Sequence, residues 1–501
     1  MKLRQLLSGA APLGVSADLE MEIYGICYDT RSLRPGDLFV ALEGSREDGH
    51  QHIQEALTLG AAAVLCRRVP EGEGPWVQVA DTRAALAVVS ANWFDHPARR
   101  LKVLGVTGTN GKTTTTYILK AMLEEGLGVK VGLIGTNQIL IGDRELPARR
   151  TTPESWELQR LFRQMVCAGC SYVVMEVSSH ALALHRTDCI PFRVGVFTNL
   201  TQDHLDFHGT MEAYRAAKGK LFAQSEAAVL NLDDEAGRWY AQRVTCPALT
   251  YSEGKDEAWL TAREVRLLPQ AVQFEAVTRG KICRVVLPIP GGFSLYNALA
   301  ALGCGLALGL PLEGMAAALS HVKGVKGRVE VVPVPAPYTV LIDYAHTPDA
   351  LEKILTTVRS FTKGRLICLF GCGGDRDPTK RAPMGETAAA LADYLVLTSD
   401  NPRGEDPNAI LRDILAGMTA FDTPRLVIPD RREAIRAALA LAKAGDVVLL
   451  AGKGHETYQE IKGQFLHLDE REEVAAFFAG AEAVPALAKR GENPGSQRDI
   501  L

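Results

Sequence analysis

The segment Gly108-Thr109-Asn110-Gly111-Lys112-Thr113-Thr114 follows an apolar run, Leu101 to Val106, and leads into helix-compatible residues from Tyr117 to Leu123. A strand, a glycine-rich turn and a helix N-terminus in this order confine the chain to folds in which a sheet delivers a loop to the start of a helix. Gly108 and Gly111 let the backbone turn its N–H groups toward a phosphate. Lys112 supplies a positive charge for the β- and γ-phosphates, and the Thr113 hydroxyl can ligate Mg²⁺. The spacing departs from the strict phosphate-loop pattern, because Val106 stands five residues before Gly111 and the nearest upstream glycine is Gly105. An ordinary glycine turn is the competing reading. It gives no reason for Gly-Lys-Thr to fall at a strand-to-helix junction, so the segment is read as a nucleoside triphosphate site.

A chain of 501 residues has room for about three domains, each with its own core. A net charge of −4 gives no electrostatic reason to expect nucleic acid or an anionic membrane as partner. The ten cysteines show no secreted-type spacing, which fits reduced thiols in the cytosol. Cys167 and Cys170 form a lone Cys-x-x-Cys without the second pair a zinc site needs. No clear signal peptide opens the chain. The longest apolar run, Ala298 to Leu312, contains three glycines and is too short to span a bilayer, so it reads as a buried helix and its exit turn.

The punctuation predicts an α/β protein of three domains, with a central P-loop-type parallel sheet and a C-terminal Rossmann-like sheet. Residues 1–99 form a small α/β domain and residues 100–327 the nucleotide-binding domain. Residues 328–485 form a regular βαβ alternation, and 486–501 a disordered polar tail. In open parallel sheets ligands bind beyond the carboxyl ends of the strands. In the C-terminal domain Ile342 precedes Asp343 to Pro348, and Phe370 precedes Gly371 to Asp377. Thr398 precedes Asp400-Asn401-Pro402-Arg403, and Leu450 precedes Gly452 to Glu456; only the strand ending at Ile428 has no such exit. Arg376, Arg403 and Glu456 on one rim suit a zwitterion, since guanidinium grips carboxylate and carboxylate receives ammonium. A solvated salt-bridge cluster is the alternative.

In the central domain Glu176 ends an apolar strand, Tyr172 to Val177, where it can meet a Mg²⁺ held by Thr113 or sit in an edge salt bridge. His204, in Asn199 to Gly209, can ligand a second cation or cap a helix.

Together, Gly108 to Thr114, Glu176 to His180, Asp203 to Asp206 with Lys218 downstream, Gly327 to Glu330, Asp343 to Pro348 and Gly371 to Asp377 resemble the Mur ligases over Tyr28 to Glu472. The resemblance implies an ATP- and Mg²⁺-dependent acid–amino-acid ligase of cytoplasmic peptidoglycan precursor synthesis, acting as a monomer. It implies attachment of meso-diaminopimelate to the D-Glu of UDP-N-acetylmuramoyl-L-Ala-D-Glu through an acyl phosphate. It places Tyr28, Thr30 and the Gly44–Gly49 loop at the UDP group, and Thr151, Thr152, Ser178 and Arg186 at the muramoyl dipeptide. Thr30 stands where a serine is expected, Arg150 where a relative has Asn, and Leu184 where it has Gln. Asn297, Arg328 and Asp343 join Gly108 to Thr114 at ATP. Arg376, Asp400, Asn401, Pro402, Arg403, Gly452 and Glu456 become the diaminopimelate site. Lys112, Glu176, His204 and Lys218 become catalytic, with Lys218 carbamylated (N6-carboxylysine) and Thr113, Glu176, His204 and Lys218 around the metal. The ATP and amino-acid grips fall on separate domains, so closure near Lys326 to Arg328 is expected.

A switch GTPase lacks its guanine-reading motif here, because no Asn is followed by Lys. A folylpolyglutamate synthetase-like ligase shares the later domains but has no counterpart of the UDP segment at residues 25–49. A nucleotide-binding module without activity has no use for the carboxylate-gripping arginines.

Overall fold

The computed structural model describes residues 1–44 and 47–480, so Ser45 and Arg46 of the Gly44–Gly49 loop and the expected tail lie outside the described residues. Internal contacts divide the chain into two units. The first is Met1–Arg266, Gln273–Leu287 and Phe293–Val322; the second begins at Lys323 and takes in the short segments Leu267–Val272 and Pro288–Gly292.

The first unit carries two sheets. Strands β1 (Gly14–Val15), β2 (Gly25–Cys27), β3 (Asp37–Val40), β4 (Ala63–Cys66) and β5 (Trp76–Gln78) form a sheet in the order β1-β5-β4-β3-β2. All its pairings are parallel except that of β1 with β5.

The larger sheet is built from β6 (Lys102–Thr107), β7 (Val131–Ile134), β8 (Gln138–Ile141), β9 (Arg144–Pro147), β10 (Tyr172–Glu176) and β11 (Phe192–Phe197). It continues with β12 (Ala228–Asn231), β13 (Ala248–Ser252), β14 (Leu260–Leu268), β15 (Ala271–Thr278) and β16 (Lys281–Leu287). Its order is β16-β15-β14-β13-β12-β11-β6-β10-β7-β8-β9. The centre, β11-β6-β10-β7, is parallel, so the exits of these four strands open on one edge. Every residue of β10 is buried, as expected of a strand covered on both faces, and burial of Val173, Val174 and Met175 stabilises the sheet by about 1.5–3 kcal/mol per side chain.

The second unit holds β17 (Glu330–Val332), β18 (Thr339–Asp343), β19 (Leu366–Phe370), β20 (Tyr394–Leu397), β21 (Arg425–Val427) and β22 (Val447–Ala451), in the order β17-β18-β22-β19-β20-β21. The adjacent strands β18, β22, β19 and β20 are parallel, and their exits are the four loops singled out in the sequence. The uncommitted exit after Ile428 belongs to β21, at the sheet edge. A hairpin, β23 (Tyr458–Ile461) and β24 (Gln464–His467), completes the unit.

The sequence reading placed the parallel strands other than β13 and β14 within a few residues. It did not find the antiparallel β1, β8, β9 and β17, the strands β13 and β14, or the β23–β24 hairpin. The run Ala298 to Leu312 is the buried part of helix Gly292–Ala307, a turn, and the start of helix Leu312–Leu319. All ten cysteines are free thiols. Among the described residues no helix is long and apolar enough to cross a membrane.

Arg431 locks two of the second unit's strand exits together. Its guanidinium donates to Ser399 O (3.1 Å) beyond β20, to Ala451 O (2.9 Å) at the end of β22, and to Glu470 Oε1 (2.7 and 2.9 Å). Both side chains are fully buried. Arg431→Ala strands the Glu470 carboxylate and should cost about 3–5 kcal/mol of the second unit's stability. All five tryptophans, Trp76, Trp93, Trp156, Trp239 and Trp259, lie in the first unit, so hydrogen exchange at Leu397 and Leu450 is the appropriate measurement. Unchanged protection there would show that the pair does not hold the sheet.

Candidate active site

Gly108 leaves β6 at φ +150°, and Gly111 caps helix Lys112–Leu127 at φ +83°. A Cβ on Gly108 would lie 1.9 Å from Thr198 Oγ1, and one on Gly111 would lie 2.5 Å from Asn297 Oδ1, so neither position admits a side chain. The exit of β11 braces the loop. Thr198 Oγ1 donates to Asn110 O (2.6 Å), Thr109 N to Asn199 O (2.8 Å) and Asn110 N to Asn199 Oδ1 (2.9 Å). Asn297 accepts from Thr115 Oγ1 at 3.2 Å.

Two lysines converge on this loop. Lys112 Nζ donates to Gly108 O and Thr109 O, both at 2.9 Å, and Lys218 Nζ donates to Gly108 O at 2.8 Å. Lys218 is buried and lies 4.5 Å from the centroid of the Tyr214 ring. Burial, with Lys112 alongside, pushes its ammonium well below the usual lysine range.

Glu176, at the end of β10, is almost fully buried. It accepts from Thr113 Oγ1 (3.0 Å), Thr136 Oγ1 (3.1 Å) and Thr136 N (2.8 Å), and among the described residues it has no ion-pair partner. The threonines continue outward: Thr136 Oγ1 meets Thr151 Oγ1 at 3.0 Å, and Thr152 Oγ1 donates to Glu176 O at 2.8 Å and accepts from Ser178 N at 3.1 Å. Arg186 donates to Thr152 O (3.2 Å) and pairs with Glu154 at 2.9 Å. Thr113, Glu176, Thr151, Thr152, Ser178 and Arg186 thus form one connected set. Glu154, which the sequence reading passed over, also receives Arg83 and Arg150.

Tyr28 donates to Glu157 Oε1 at 2.6 Å, and burial followed by that carboxylate pushes its hydroxyl pKa up. Thr30 donates to Glu55 at the surface. His204 adopts φ +53° at the N-cap of helix Leu205–His208, half exposed, with its ring 4.8 Å from His180 and 6.1 Å from Tyr214. His180 and His208 were not assigned from sequence. Burial, then His180 and His204, lowers the His208 pKa to about 4.

In the second unit a cavity of ≈ 340 Å³ opens at the sheet's carboxyl edge. Arg376, Asp400, Asn401, Arg403, Gly452 and Glu456 line it; Pro402 is buried and does not. Arg403, at φ +51°, donates to Glu460 Oε2 (2.9 Å) and Gly374 O (2.8 Å), and its backbone pairs with β23. Arg376 is exposed and has no hydrogen-bond or ion-pair partner among the described residues. Glu456 Oε2 accepts from Asn401 Nδ2 and from Lys453 Nζ, both at 3.0 Å. Lys453, in the loop that leaves β22, is fully buried. Asp343 accepts from Val329 N (2.8 Å) and Ala345 N (2.9 Å), and burial pushes its pKa up. Arg328 lies over the Tyr344 ring at 5.3 Å, with its buried Nε unpartnered. The residues expected at ATP therefore divide, with Gly108 to Thr114 and Asn297 in the first unit and Arg328 and Asp343 in the second.

Comparison with known proteins gives matches along the chain. Residues 22–96 match the Mur ligase family catalytic domain, 106–305 the Mur ligase middle domain, and 327–454 the Mur ligase glutamate ligase domain. A UDP-N-acetylmuramoyl-L-alanyl-D-glutamate–2,6-diaminopimelate ligase of Caldanaerobacter subterraneus subsp. tengcongensis is 47% identical over 485 residues, 96% of this chain and 100% of the relative. One of the same name from Geobacillus kaustophilus is 46% identical over 480 residues, 94% of this chain and 98% of that one. A solved structure of a ligase of that name superposes with a TM-score of 0.73 at 30% identity, covering 97% and 100% of the two chains. A MurF ligase from Thermotoga maritima in complex with ADP shares the fold at a TM-score of 0.58 and 21% identity, covering 90% and 96%. With such identity over nearly its whole length, and a family model matched by each of its three segments, this chain belongs to the Mur ligase family.

Proposed function

We propose that the protein is an ATP-dependent ligase that joins meso-diaminopimelate to the D-Glu γ-carboxylate of UDP-N-acetylmuramoyl-L-Ala-D-Glu in the cytoplasm, as a monomer. The observation that carries this reading is Glu176. Its side chain holds the phosphate-loop Thr113, and its backbone and side chain hold Thr152 and Thr136. An acceptor carboxylate bound along Thr151, Thr152 and Ser178 then lies beside the terminal phosphate of a nucleotide on Gly108 to Thr114. The γ-phosphoryl passes to that carboxylate, giving an acyl phosphate and ADP. The neutral α-amine of diaminopimelate attacks the acyl carbon, the tetrahedral intermediate expels phosphate, and the amine loses its proton. Phosphate leaves far more readily than oxide, so the protein's work is positioning and neutralising charge with Lys112 and the loop N–H groups.

Thr113 Oγ1 and Glu176 are hard oxygen donors, and a buried carboxylate with no cationic partner among the described residues suits a divalent cation. With His204 and a carbamylated Lys218 they would hold Mg²⁺, which supplies charge neutralisation for the phosphates. Carbamylation needs a neutral amine to add to CO₂ and lose a proton, and burial shifts Lys218 toward that form. Tyr28 and Thr30 take the UDP group, and Asn297, Arg328 and Asp343 the adenosine side of ATP. Arg376 and Arg403 take the distal carboxylate of diaminopimelate, and Glu456 its ammonium. The test is ADP release with UDP-N-acetylmuramoyl-L-Ala-D-Glu and a panel of amino acids; activity confined to another acceptor or amino acid would overturn the reading.

Lys112→Ala should abolish ligation while leaving affinity for the UDP substrate within about threefold, short of the roughly 1.4 kcal/mol of a tenfold change. Near-normal turnover would remove the loop from the mechanism.

Lys218→Ala should be nearly inactive and partly restored by acetate or formate, which return the missing oxygens. Mass spectrometry showing an unmodified amine in fully active protein would exclude the carbamate.

Arg403→Ala loses a charged hydrogen bond of roughly 1.5–3 kcal/mol, so efficiency with diaminopimelate should fall at least about tenfold and its lead over lysine should narrow. An unchanged preference would place the distal carboxylate elsewhere.

A further inference from the structure

Lys453 sits beneath the amino-acid cavity, between the exits of β20 and β22, with no exposed surface. Its Nζ donates to Asn401 Oδ1 at 2.9 Å and to Glu456 Oε2 at 3.0 Å, lies 3.8 Å from Asp400 Oδ1, and is 5.5 Å from the centroid of the Tyr458 ring. Asn401 and Glu456 are also joined directly at 3.0 Å. All these partners are cavity-lining groups or neighbours of them, whereas Lys453 itself does not line the cavity. A fully buried ammonium loses its hydration, so it is retained only where acceptors and opposite charge surround it. The cavity floor therefore consists of two carboxylates, Asp400 and Glu456, over one cation: a net charge of −1.

That value matches one ligand ammonium. Without Lys453 these two carboxylates would stand uncompensated, and a proton shared between them would keep the net charge at −1 but compete with the ammonium for Glu456. Glu456 has both hydrogen bonds from Lys453 and Asn401 on Oε2, which leaves Oε1 for the ligand. On the rim, Arg403 uses Nε on Glu460 and Nη1 on Gly374 O, so its Nη2 and the exposed Arg376 face a ligand carboxylate.

We infer that Lys453 is a positioning residue that sets the floor of the amino-acid site to a single negative charge and aims Glu456 at one ammonium of the added amino acid. The inference rests on the proposed ligase reading. Lys453 touches no reacting atom. It acts through Glu456 and Asn401, so its loss should weaken amino-acid binding without disturbing the nucleotide or UDP-substrate sites.

The experiment measures KM for meso-diaminopimelate, ATP and the UDP-dipeptide substrate in wild type, Lys453→Met and Lys453→Gln, from pH 6.5 to 9. Both neutral variants should raise KM for the amino acid at least tenfold at pH 7, with the other two KM values within about threefold. The ratio of variant to wild-type KM should grow as pH falls, because a proton on the uncompensated Asp400–Glu456 pair competes with the ammonium. The other charged or titratable groups at the cavity, Tyr344, His346, Arg376, Asp377, Lys380 and Arg403, and Tyr458 beside Lys453, are present in every protein compared, so their contribution largely cancels in the ratio.

The double variant Lys453→Met/Asp400→Asn returns the floor to −1 and should abolish that pH dependence. A ratio independent of pH, a double variant that keeps the pH dependence, or KM values that rise equally for all three substrates would reduce Lys453 to a structural role and overturn the inference. Should either neutral variant fail to fold, the other and the double variant carry the same comparison. Wild type that adds a different amino acid overturns the substrate reading alone, because the ratios are then measured with that amino acid.

Discussion

Two lysine ammonium groups share one carbonyl oxygen, that of Gly108, and the arrangement of the first unit's site follows from this. Lys112 comes from the first turn of the loop's own helix, and Lys218 from helix Met211–Ala223 across the β6 exit. Two ammonium groups side by side disfavour each other's charge, which is eased by a neutral Lys218 or by an anion on the loop. Burial favours the first, and a polyphosphate on the loop would supply the second. The loop cannot relax away from the lysines, because Thr198 and Asn199 hold Thr109 and Asn110 from the other side. The charge is thus poised before the ligand arrives, and no reorganisation is needed when negative charge develops.

The deepest acids of the two units are held in different ways. In the first, Glu176 is buried among hydroxyls and an amide N–H with no cation paired to it among the described residues. In the second, ions are paired within the protein: Lys453 with Glu456, Arg403 with Glu460, and Arg431 with Glu470. This contrast follows the ligands proposed for each. Nucleotide and divalent cation bring large charges of both signs and can complete an unbalanced site. An amino acid brings small, nearly cancelling charges and needs a site already balanced except where it binds.

The central parallel strands were legible because each is an apolar run ended by glycine or a polar loop, and strands buried on both faces have little room for anything else, whereas the half-exposed parallel β13 and β14 were not. The antiparallel additions were not. β9 is mostly exposed and polar, and β24 is exposed throughout, so neither shows a buried-strand pattern. Residues carried by a contiguous motif were legible as well: Gly108 to Thr114, Glu176 and Arg403. Lys453 was missed because Gly452-Lys453-Gly454 has the look of a solvent loop; what buries it is Asn401, 52 positions away on another strand exit. Glu154 was missed for the same reason, since two of its three arginines, Arg83 and Arg186, are distant in sequence.

Strand order explains why local motifs were informative at all. A strand exit can carry chemistry only if its neighbours in the sheet also open toward the ligand. The central parallel runs, β11-β6-β10-β7 in one unit and β18-β22-β19-β20 in the other, satisfy that condition. The edge strand β21 is parallel to β20 but has a neighbour on one side only, and its exit is the one that contributes nothing to the cavity lining. Binding groups gathered from four loops are rigid because each loop is anchored at a strand end. Arg431 shows the mechanism most directly: one buried guanidinium ties the carbonyls of Ser399 and Ala451, each next to a cavity residue, Asp400 and Gly452, to the same carboxylate. The geometry of the cavity is therefore held from behind, by the buried Arg431–Glu470 pair, which leaves the lining residues free of that structural task.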